Sequence, residues 1–268
     1  MARPSTRITL SVVLPAYNEQ DRLPPYLTSI IVYLSRRGDP YEIVVVDDGS
    51  RDDTAQRVRQ FAIESPVIRL IQLPANRGKG AAVRAGMLAA HGALRLMTDA
   101  DGATPIEEIE RLEQGLSDGS DLTIGSRFLG SRDGRYRVQA RWHRTVLGNA
   151  FNQAAQRLGL EGITDTQCGF KLFRKRVAED LFSVSRIDGY GFDLELLYIA
   201  RQRNYRIAEV PINWTDQPGS KVHVVRDGLR MFRELLAVRR YAAQGCYRRS
   251  EFADSLHDLR QAAESRRF

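Results

Sequence analysis

The feature that most constrains this chain is a regular alternation of short apolar segments with longer amphipathic ones over its first half. Four runs rich in Val, Ile and Leu have the length of strands: residues 8–14, 42–46, 67–72 and 93–98. The segments between them carry apolar residues at helical spacing: residues 21–36, 52–63 and 80–91. This order predicts an α/β fold, a mostly parallel sheet covered by helices, with ligands at the carboxyl ends of the strands. We expect the first strand to stop at Pro15.

The second half of the chain is less regular. Its predicted elements are strands at 121–125 and 205–214 and helices at 141–158 and within 187–204. Residues 164–174 form a polar and aromatic segment, and the tail from Val225 onward is predicted to be helical and basic. Since the chain has no internal repeat and no Pro-rich linker, we expect one domain over residues 1–221, followed by a helical tail over residues 222–268.

Composition narrows the class of protein. The 268 residues are 43% hydrophobic and 27% charged, which excludes disorder for the bulk of the chain. Cys168 and Cys246 are too few for a disulfide framework and lack zinc-site spacing. The 40 Lys and Arg exceed the 33 Asp and Glu, for a net charge of +7. This excess indicates an anionic partner and leaves open nucleic acid, a phosphate ligand or a lipid headgroup.

The sequence carries no signal for crossing a membrane. The N-terminus from Met1 to Arg7 is short and lacks the apolar core of a signal peptide. No stretch approaches the run of about 20 apolar residues that spans a bilayer. We therefore predict a cytoplasmic protein that touches a membrane without crossing it.

Acidic residues follow three of the predicted strands. Glu19 comes after the first strand, Asp47 and Asp48 after the second, and Asp99 and Asp101 after the fourth. Carboxylates along one edge of a sheet repel each other unless they hold cations or hydrogen-bond donors. Helix capping explains one acid per turn and leaves the doublets unexplained. Asp99 and Asp101 can share a hard cation, Mg²⁺ or Mn²⁺, together with substrate phosphates.

These motifs, taken in order, resemble glycosyltransferase family 2. They are residues 12–19 (VVLPAYNE), 44–50 (VVVDDGS), 76–80 (NRGKG) and 99–101 (DAD). Within the family the chain is most similar to the polyprenyl-phosphate sugar synthases, and among these to the dolichyl-phosphate β-glucosyltransferases, through residues 99–104 and 165–173. The resemblance covers about residues 8–221. It implies a GT-A (Rossmann-like) fold, a nucleotide-sugar donor, a divalent metal and inversion at the anomeric carbon.

The resemblance also implies a donor site. In such enzymes the segment that matches Pro15, Tyr17 and Glu19 holds the nucleoside, with the acid on the ribose hydroxyls. The residue that matches Asp47 lies by the base, where a carboxylate accepts the N3–H of uracil. Lys79 lies in a loop flanked by glycines, where it either approaches the diphosphate as a point charge or lies in a solvated turn. Asp99 belongs to this donor site as well as to the metal pair.

Three further positions refine this expectation. Asp48 is a candidate to hold the turn before Gly49, and Arg77 accompanies the lysine of the glycine-flanked loop. Ala103 departs from the mannosyl-phosphate synthases of the family, which often carry a metal-binding Gln at this place. The absence of this Gln leaves Asp99, Asp101 and water as the metal ligands, and favours glucose over mannose as the sugar.

The second half supplies candidates for an acceptor site. Arg127 resembles the family's arginine that meets the acceptor phosphate, and Lys221, after Ser220, resembles another phosphate-contacting residue. Arg137 joins them because a planar guanidinium suits phosphate. Two arginines fit a phosphate site and an exposed loop equally well: Arg132 and Arg135.

A phosphate acceptor simplifies the predicted catalysis. Its oxygen is already anionic at neutral pH, so the reaction needs positioning for in-line attack and stabilisation of the departing nucleotide diphosphate. Asp99 and Asp101 serve the second need through the metal, and we assign Asp165 a positioning role. A hydroxyl acceptor would require a general base. Asp193 and Glu195 stay open candidates for it, although Asp193 also suits a helix N-terminus.

Two basic segments carry apolar residues at helical spacing. Residues 127–144 contain six Arg and one Asp and lead into Val146, Leu147 and Phe151, and the tail repeats this pattern after Val225. Basic amphipathic helices of this kind lie in a membrane interface and favour anionic lipids. Alternatively, the apolar faces cover the sheet. The first reading predicts a peripheral protein on the inner face of the membrane.

Together these features predict a metal-dependent, inverting transfer of glucose from UDP-glucose to a polyprenyl phosphate. One alternative is a soluble glycosyltransferase with a small or saccharide hydroxyl acceptor, which would share the donor half. Another is a sugar nucleotidyltransferase, although the first strand lacks a Gly-rich loop for a triphosphate. A nucleic-acid binder would explain the basic charge but not the acids at three strand ends, so we expect no nucleic acid partner.

Overall fold

Strands and helices alternate along the first half of the chain, as predicted, in a computed structural model that describes residues 8–139, 160–218 and 224–248. The strands are β1 (Leu10–Ala16), β2 (Tyr41–Asp47), β3 (Ile68–Gln72), β4 (Leu94–Met97), β5 (Leu122–Ser126), β6 (Val138–Gln139), β7 (Lys171–Arg174), β8 (Ile207–Pro211) and β9 (Trp214–Thr215). The helices are α1 (Leu23–Arg37), α2 (Thr54–Glu64), α3 (Lys79–Ala89), α4 (Ile109–Ser117), α5 (Arg127–Arg132), α6 (Lys175–Val184), α7 (Phe192–Gln202) and α8 (Val224–Ala243). A 3₁₀ turn, Ile106–Glu108, precedes α4.

Seven strands form the main sheet, in the order β3-β2-β1-β4-β7-β5-β8. Strand β7 is antiparallel to both of its neighbours, and the other pairs are parallel. Strands β6 and β9 form a separate parallel pair. The prediction of a mostly parallel sheet is therefore confirmed.

Helices cover both faces of this sheet because the side chains of each strand alternate between the faces. In β2, Val44 and Val46 pack into a cluster that includes residues of α3, α6, α7 and α8. Ile43 and Val45 point the other way and pack with residues of α1 and α4. Both faces of β2 are thus buried, as expected for a central parallel strand.

Helix α1 begins and ends close to the predicted bounds of 21–36. Proline occupies its first positions, where a missing N–H costs nothing, and Gly38 ends it with a φ of 77°.

Strand β1 does not stop at Pro15, contrary to the prediction. The carbonyl of Val13 accepts a hydrogen bond from Thr98 on the β4 side. Backbone groups of residues two apart in a strand point to the same side, so the N–H that Pro15 lacks would also face β4. Val13 is the last residue that pairs with β4, so no hydrogen bond between the strands is lost at Pro15. The strand continues to Ala16, whose carbonyl accepts from the Asp48 N–H at 2.8 Å.

Strand β7 and helices α4 and α6 were not predicted. Residues 164–174 read as polar partly because of Lys171, yet this lysine is fully buried and its Nζ lies 2.5 Å from Asp193 Oδ1. Leu172 and Phe173, which follow it in β7, are also fully buried. A charge neutralised by a residue far along the chain hides the apolar character of the strand.

The predicted basic tail is helical where the structure describes it. Leu235 and Val238 of α8 are buried in the same cluster as α3 and α7, together with Tyr247. The domain boundary predicted at residues 221–222 and the helix predicted at 141–158 lie outside the described residues.

Candidate active site

Three neighbouring strands end at the edge of the sheet where the sequence predicted a site. Strands β2, β1 and β4 lie side by side. Their carboxyl ends lead into the acidic residues singled out above: Glu19, Asp47, Asp48, Asp99 and Asp101. The structure thus brings the three acidic groups to one edge, and Pro15 and Tyr17 lie at the end of the central strand.

The loops after β1 and β2 are joined by reciprocal hydrogen bonds. The Asn18 N–H donates to Ser50 Oγ at 2.8 Å, and the Arg51 N–H donates to Asn18 Oδ1 at 2.7 Å. Asn18 has a φ of 53°, a left-handed conformation that Asn tolerates well. The Glu19 N–H donates to Thr54 Oγ1 at 2.7 Å. These contacts fix Glu19 relative to the loop after β2.

The two aspartates after β2 have separate partners. Asp47 is buried and accepts the Ser50 backbone N–H at 3.1 Å. Asp48 accepts the backbone N–H groups of Arg77 and Gly78, each at 2.8 Å. Burial raises the pKa of Asp48, and these two hydrogen bonds oppose the rise. Asp48 therefore holds the loop that leads into α3, whereas the sequence predicted that it holds the turn before Gly49.

Lys79, the first residue of α3, contacts the aspartate pair after β4. Its Nζ lies 2.5 Å from Asp99 Oδ1 and 6.0 Å from the ring centre of Phe192. Burial alone would lower the pKa of Lys79, but the carboxylates of Asp99 and Asp193 outweigh it and raise the pKa. Lys79 therefore remains a cation beside Asp99.

Arg22 is a site residue that the sequence reasoning missed. Its guanidinium donates to Glu19 through Nε at 2.7 Å and Nη2 at 2.5 Å, and its Nη1 lies 3.8 Å from Asp101 Oδ2. It thus joins the acid after β1 to the acid pair after β4. The spacing of three residues between Glu19 and Arg22, just before a helix, was the signal available in the sequence.

Asp99 and Asp101 fit a hard divalent cation by their chemistry. Their side chains are 38% and 26% exposed, so a ligand can reach them. Burial and the neighbouring Asp99 carboxylate raise the pKa of Asp101, a repulsion that a shared cation relieves. Across the described residues, no group of three or more His, Cys, Asp and Glu side chains is arranged to hold a metal. Two carboxylates completed by water and substrate phosphates are a usual Mg²⁺ set.

The antiparallel direction of β7 brings the segment before it to the same edge. A Cβ at Gly169 would overlap the Asp99 carboxylate, so the backbone at residue 169 lies closer to this carboxylate than any other residue would allow without moving it. The adjacent Cys168 is buried, and burial raises the pKa of its thiol to about 12. Its sulfur therefore stays protonated and is part of the packing.

Arg127 and Asp165, predicted for separate roles, form a bidentate ion pair. The Arg127 Nε lies 2.8 Å from Asp165 Oδ2, and its Nη2 lies 2.7 Å from Oδ1. The Arg127 backbone N–H also donates to Oδ2 at 2.8 Å. Burial alone would raise the pKa of Asp165, but Arg127 outweighs it and lowers the pKa. Arg127 remains 34% exposed and lies 5.4 Å from the Trp214 ring centre, so Asp165 orients a partly open guanidinium.

The two remaining acids are enclosed by the scaffold. Asp193 is buried against Lys171. Glu195 is fully buried, and it accepts the backbone N–H groups of residues 186–187 at 2.8–2.9 Å and the Tyr247 hydroxyl at 2.7 Å. Both carboxylates are thus occupied by interior contacts, which argues against a role as general base.

Among the other predicted acceptor residues, Arg137 lies next to Trp214, whose backbone N–H donates to the Arg137 carbonyl at 2.9 Å. Arg137 is exposed, just before β6. Arg135 pairs with Asp133, two residues earlier, and Arg132 is exposed at the end of α5. Ser220 and Lys221 lie outside the described residues.

Comparison with known proteins places this geometry in context. The sequence model of the family described as Glycosyl transferase family 2 matches residues 11–182. The chain is 38% identical over 258 residues to a dolichyl-phosphate beta-glucosyltransferase of Trichomonas vaginalis, covering 93% of this chain and 76% of that protein. It is 39% identical over 250 residues to the human dolichyl-phosphate beta-glucosyltransferase, covering 89% of this chain and 77% of that protein.

A solved structure supports the fold. The glucosyl-3-phosphoglycerate synthase of Mycobacterium tuberculosis, in complex with Mn²⁺, UDP-glucose and glycerol 3-phosphate, superposes with a TM-score of 0.63 at 25% identity. The match covers 86% of this chain and 80% of that one. The predicted GT-A fold is therefore confirmed. Among the described helices, none is both long and apolar enough to cross a membrane.

Proposed function

Because this chain belongs to glycosyltransferase family 2, we propose that it transfers a glucosyl residue from UDP-glucose to a polyprenyl phosphate, giving a β-linked polyprenyl-phosphate glucose. One observation carries the proposal: Asp99, Asp101 and Lys79 lie together at the carboxyl edge of the sheet, two acids for a metal and a cation for a diphosphate. The names of the relatives support glucose and a dolichyl phosphate acceptor. The complex of the M. tuberculosis enzyme supports UDP-glucose as the donor.

We propose that the loops after β1 and β2 bind the uridine. Glu19 faces the ribose hydroxyls as an acceptor, and Asp47 accepts the N3–H of uracil. Pro15 and Tyr17 enclose the nucleoside beside them. The hydrogen bonds that hold these loops to each other would keep both carboxylates in place before the donor arrives.

Asp99 and Asp101 would hold Mg²⁺ or Mn²⁺ together with the donor diphosphate. When bound, the ion would neutralise charge on the departing UDP. Lys79 supplies a second positive charge. Its ammonium group would leave Asp99 and pair with the diphosphate when the donor binds. The backbone at Gly169 limits the positions open to Asp99 and keeps this carboxylate at the donor.

Arg127, oriented by Asp165, would bind the acceptor phosphate, with Arg137 and Lys221 as further contacts. An oxygen of that phosphate attacks the anomeric carbon from the face opposite UDP. The bond between the anomeric carbon and the β-phosphate oxygen breaks, and its electron pair leaves with UDP. An α-linked donor thus gives a β-linked product, and no base is needed because the attacking oxygen is already anionic.

We also propose a peripheral location at the inner face of a membrane. Two features of α8 support it: Arg230 is 57% exposed and Leu236 is 54% exposed. An exposed face with basic and apolar residues suits an anionic lipid surface. Sedimentation with vesicles that contain anionic lipid is expected, and a protein that stays in the supernatant contradicts the location.

The reaction is tested by incubating the protein with UDP-glucose, Mg²⁺ and a polyprenyl phosphate. We expect a glucose label that extracts into organic solvent and a β anomeric signal by NMR. A label confined to water-soluble products would show that the acceptor is wrong. A lipid product formed from another nucleotide sugar, with none from UDP-glucose, would show that the donor is wrong.

The metal pair is tested by Asp101→Asn, which keeps the shape of the side chain and removes its charge. Turnover should fall by a factor of about 10³ or more, because the ion that stabilises the leaving group loses a ligand. Asp39→Asn, at a 54% exposed carboxylate, is the matched control and should leave turnover unchanged. Equal turnover in the two variants would remove Asp101 from the metal site.

A further inference from the structure

Helix α8 makes contacts that the proposed chemistry does not use. Glu234, 13% exposed, accepts the backbone N–H of Gly191 through Oε2 at 2.7 Å. Its Oε1 accepts from Arg230 Nε at 3.1 Å. A Cβ at Gly189 would overlap the same carboxylate. The side chain of Glu234 therefore fills the space above the turn formed by residues 188–191.

The opposite side of this turn holds the loop that carries Lys79. The carbonyl of Asp188 accepts the N–H of Gly80 at 2.8 Å and the N–H of Ala81 at 3.3 Å. A Cβ at Gly78, where φ is 112°, would overlap that carbonyl. The turn and the start of α3 are thus in direct backbone contact, with no side chain between them.

The C-terminal segment also secures the residues just before the turn. Tyr247, which follows α8, donates its hydroxyl to Glu195, and Glu195 accepts the backbone N–H groups of residues 186–187. Residues 186–191 are therefore held at one end by Glu195, which Tyr247 contacts, and at the other end by Glu234. Glu234 is therefore linked to the loop of Lys79 by hydrogen bonds at the two ends of the turn, at Gly191 and at Asp188, and by the backbone of residues 188–191 between them.

We propose that Glu234 is a positioning residue for donor binding: by fixing the turn at residues 188–191, it sets the loop that places Lys79 at the diphosphate. In this proposal α8 is part of the donor site's support as well as a surface for a membrane. The identity of the donor rests on the proposed function, whereas the contact path does not depend on it.

Hydrogen exchange of the protein without ligand tests the path. In Glu234→Ala, the amides of Gly80 and Ala81 should exchange about tenfold faster or more, because the turn that accepts them is released. Amides in β2 should keep the exchange rate of the parent. The matched control is Glu64→Ala, at an exposed carboxylate that ends α2. Unchanged exchange at Gly80 and Ala81, or an equal rise throughout the sheet, would overturn the proposal.

Binding and kinetics test the consequence for the donor. Glu234→Ala should raise the Kd and KM for UDP-glucose about tenfold and leave the KM for the acceptor unchanged. Glu234→Gln keeps an oxygen for the Gly191 N–H and should restore most of the affinity. Gly191→Ala, whose Cβ would lie 2.8 Å from Glu234 Oε2, displaces the carboxylate without removing it and should weaken the donor in the same way.

The two proposals fail in different ways. If the parent binds no UDP-sugar while Glu234→Ala still exchanges faster at Gly80 and Ala81, the proposed function is contradicted and the hold of Glu234 on the loop of Lys79 is supported. A parent that converts UDP-glucose while the Glu234 and Gly191 variants keep its KM contradicts the role of Glu234 and leaves the function intact.

Discussion

At the scale of single residues, the site depends on close contacts that allow little substitution. Gly169 lies against Asp99, and Gly169→Ala must move either the backbone or the carboxylate. We expect turnover to fall at least about tenfold, with a smaller loss of stability, because a displacement of about 1 Å at a catalytic group is costly. Gly134→Ala, where a Cβ meets nothing within 4 Å, is the control. Equal turnover in both variants would show that Asp99 does not need its present position.

Asp165 gives a prediction about pH. Its pKa is lowered in the folded protein by Arg127, so its ionised form contributes stability that is present above about pH 4 and is lost as the pH falls further. Asp165→Asn should lower the free energy of unfolding at pH 7 by about 2 kcal/mol. It should also flatten the decline of stability below about pH 4. Urea unfolding across this pH range measures both effects, and parallel curves for parent and variant would contradict them.

The acids of the candidate site could be predicted from the sequence, but their partners could not. Glu19, Asp47, Asp99 and Asp101 follow strands, and strand ends in a parallel sheet share an edge. The contact of Lys79 with Asp99 joins residues from different loops, so local periodicity carries no trace of it. The same holds for Gly169, because its contact with Asp99 forms only when the antiparallel strand β7 is in place.

At the scale of elements, helix α3 packs on the sheet through a small residue. A Cβ at Gly86 would overlap Val13 and lie 2.8 Å from Val46 Cγ2. Gly86→Ala should therefore lower the free energy of unfolding by about 1–3 kcal/mol, although alanine favours helices. Leu88→Ala on the exposed side of α3, where Leu88 is 44% exposed, should change it by much less. Thermal unfolding distinguishes the two, and a stabilised Gly86→Ala would mean that α3 does not lie this close.

The elements of the first half were predictable and β7 was not, for a physical reason. Strands β1 and β2 contain uninterrupted apolar runs, residues 12–14 and 43–46, of the kind that buried parallel strands carry. Strand β7 has four residues and begins with a lysine, the charge of which is compensated by Asp193 on α7. The sequence pattern around Lys171 does not show that Asp193, 22 positions later in the chain, neutralises this lysine.

At the scale of the whole molecule, the C-terminal segment is joined to the core by a buried hydrogen bond. Tyr247→Phe removes the hydroxyl that donates to Glu195 at 2.7 Å and should cost about 1–2 kcal/mol, since a buried carboxylate loses a donor. Tyr33→Phe removes a hydroxyl that donates to Glu110 at the surface, also at 2.7 Å, and should cost about 0.5 kcal/mol or less. Denaturant titration measures both, and equal costs would contradict the importance of burial.

The position of β7 also has a consequence for the order in which a nascent chain can fold. Strands β1 to β4 pair among themselves, so they can form a sheet as soon as residues 10–97 have been synthesised. Among the strands that the structure describes, β5 pairs with β7 and β8, and both come later in the chain. Until β7 emerges, the edge of β4 stays open and β5 has no partner, which exposes unpaired strands to other chains. The event that joins β4 to β5 is therefore the one that brings Gly169 against Asp99, so a chain synthesised only as far as β5 has the loops after β1, β2 and β4 without Gly169 beside Asp99.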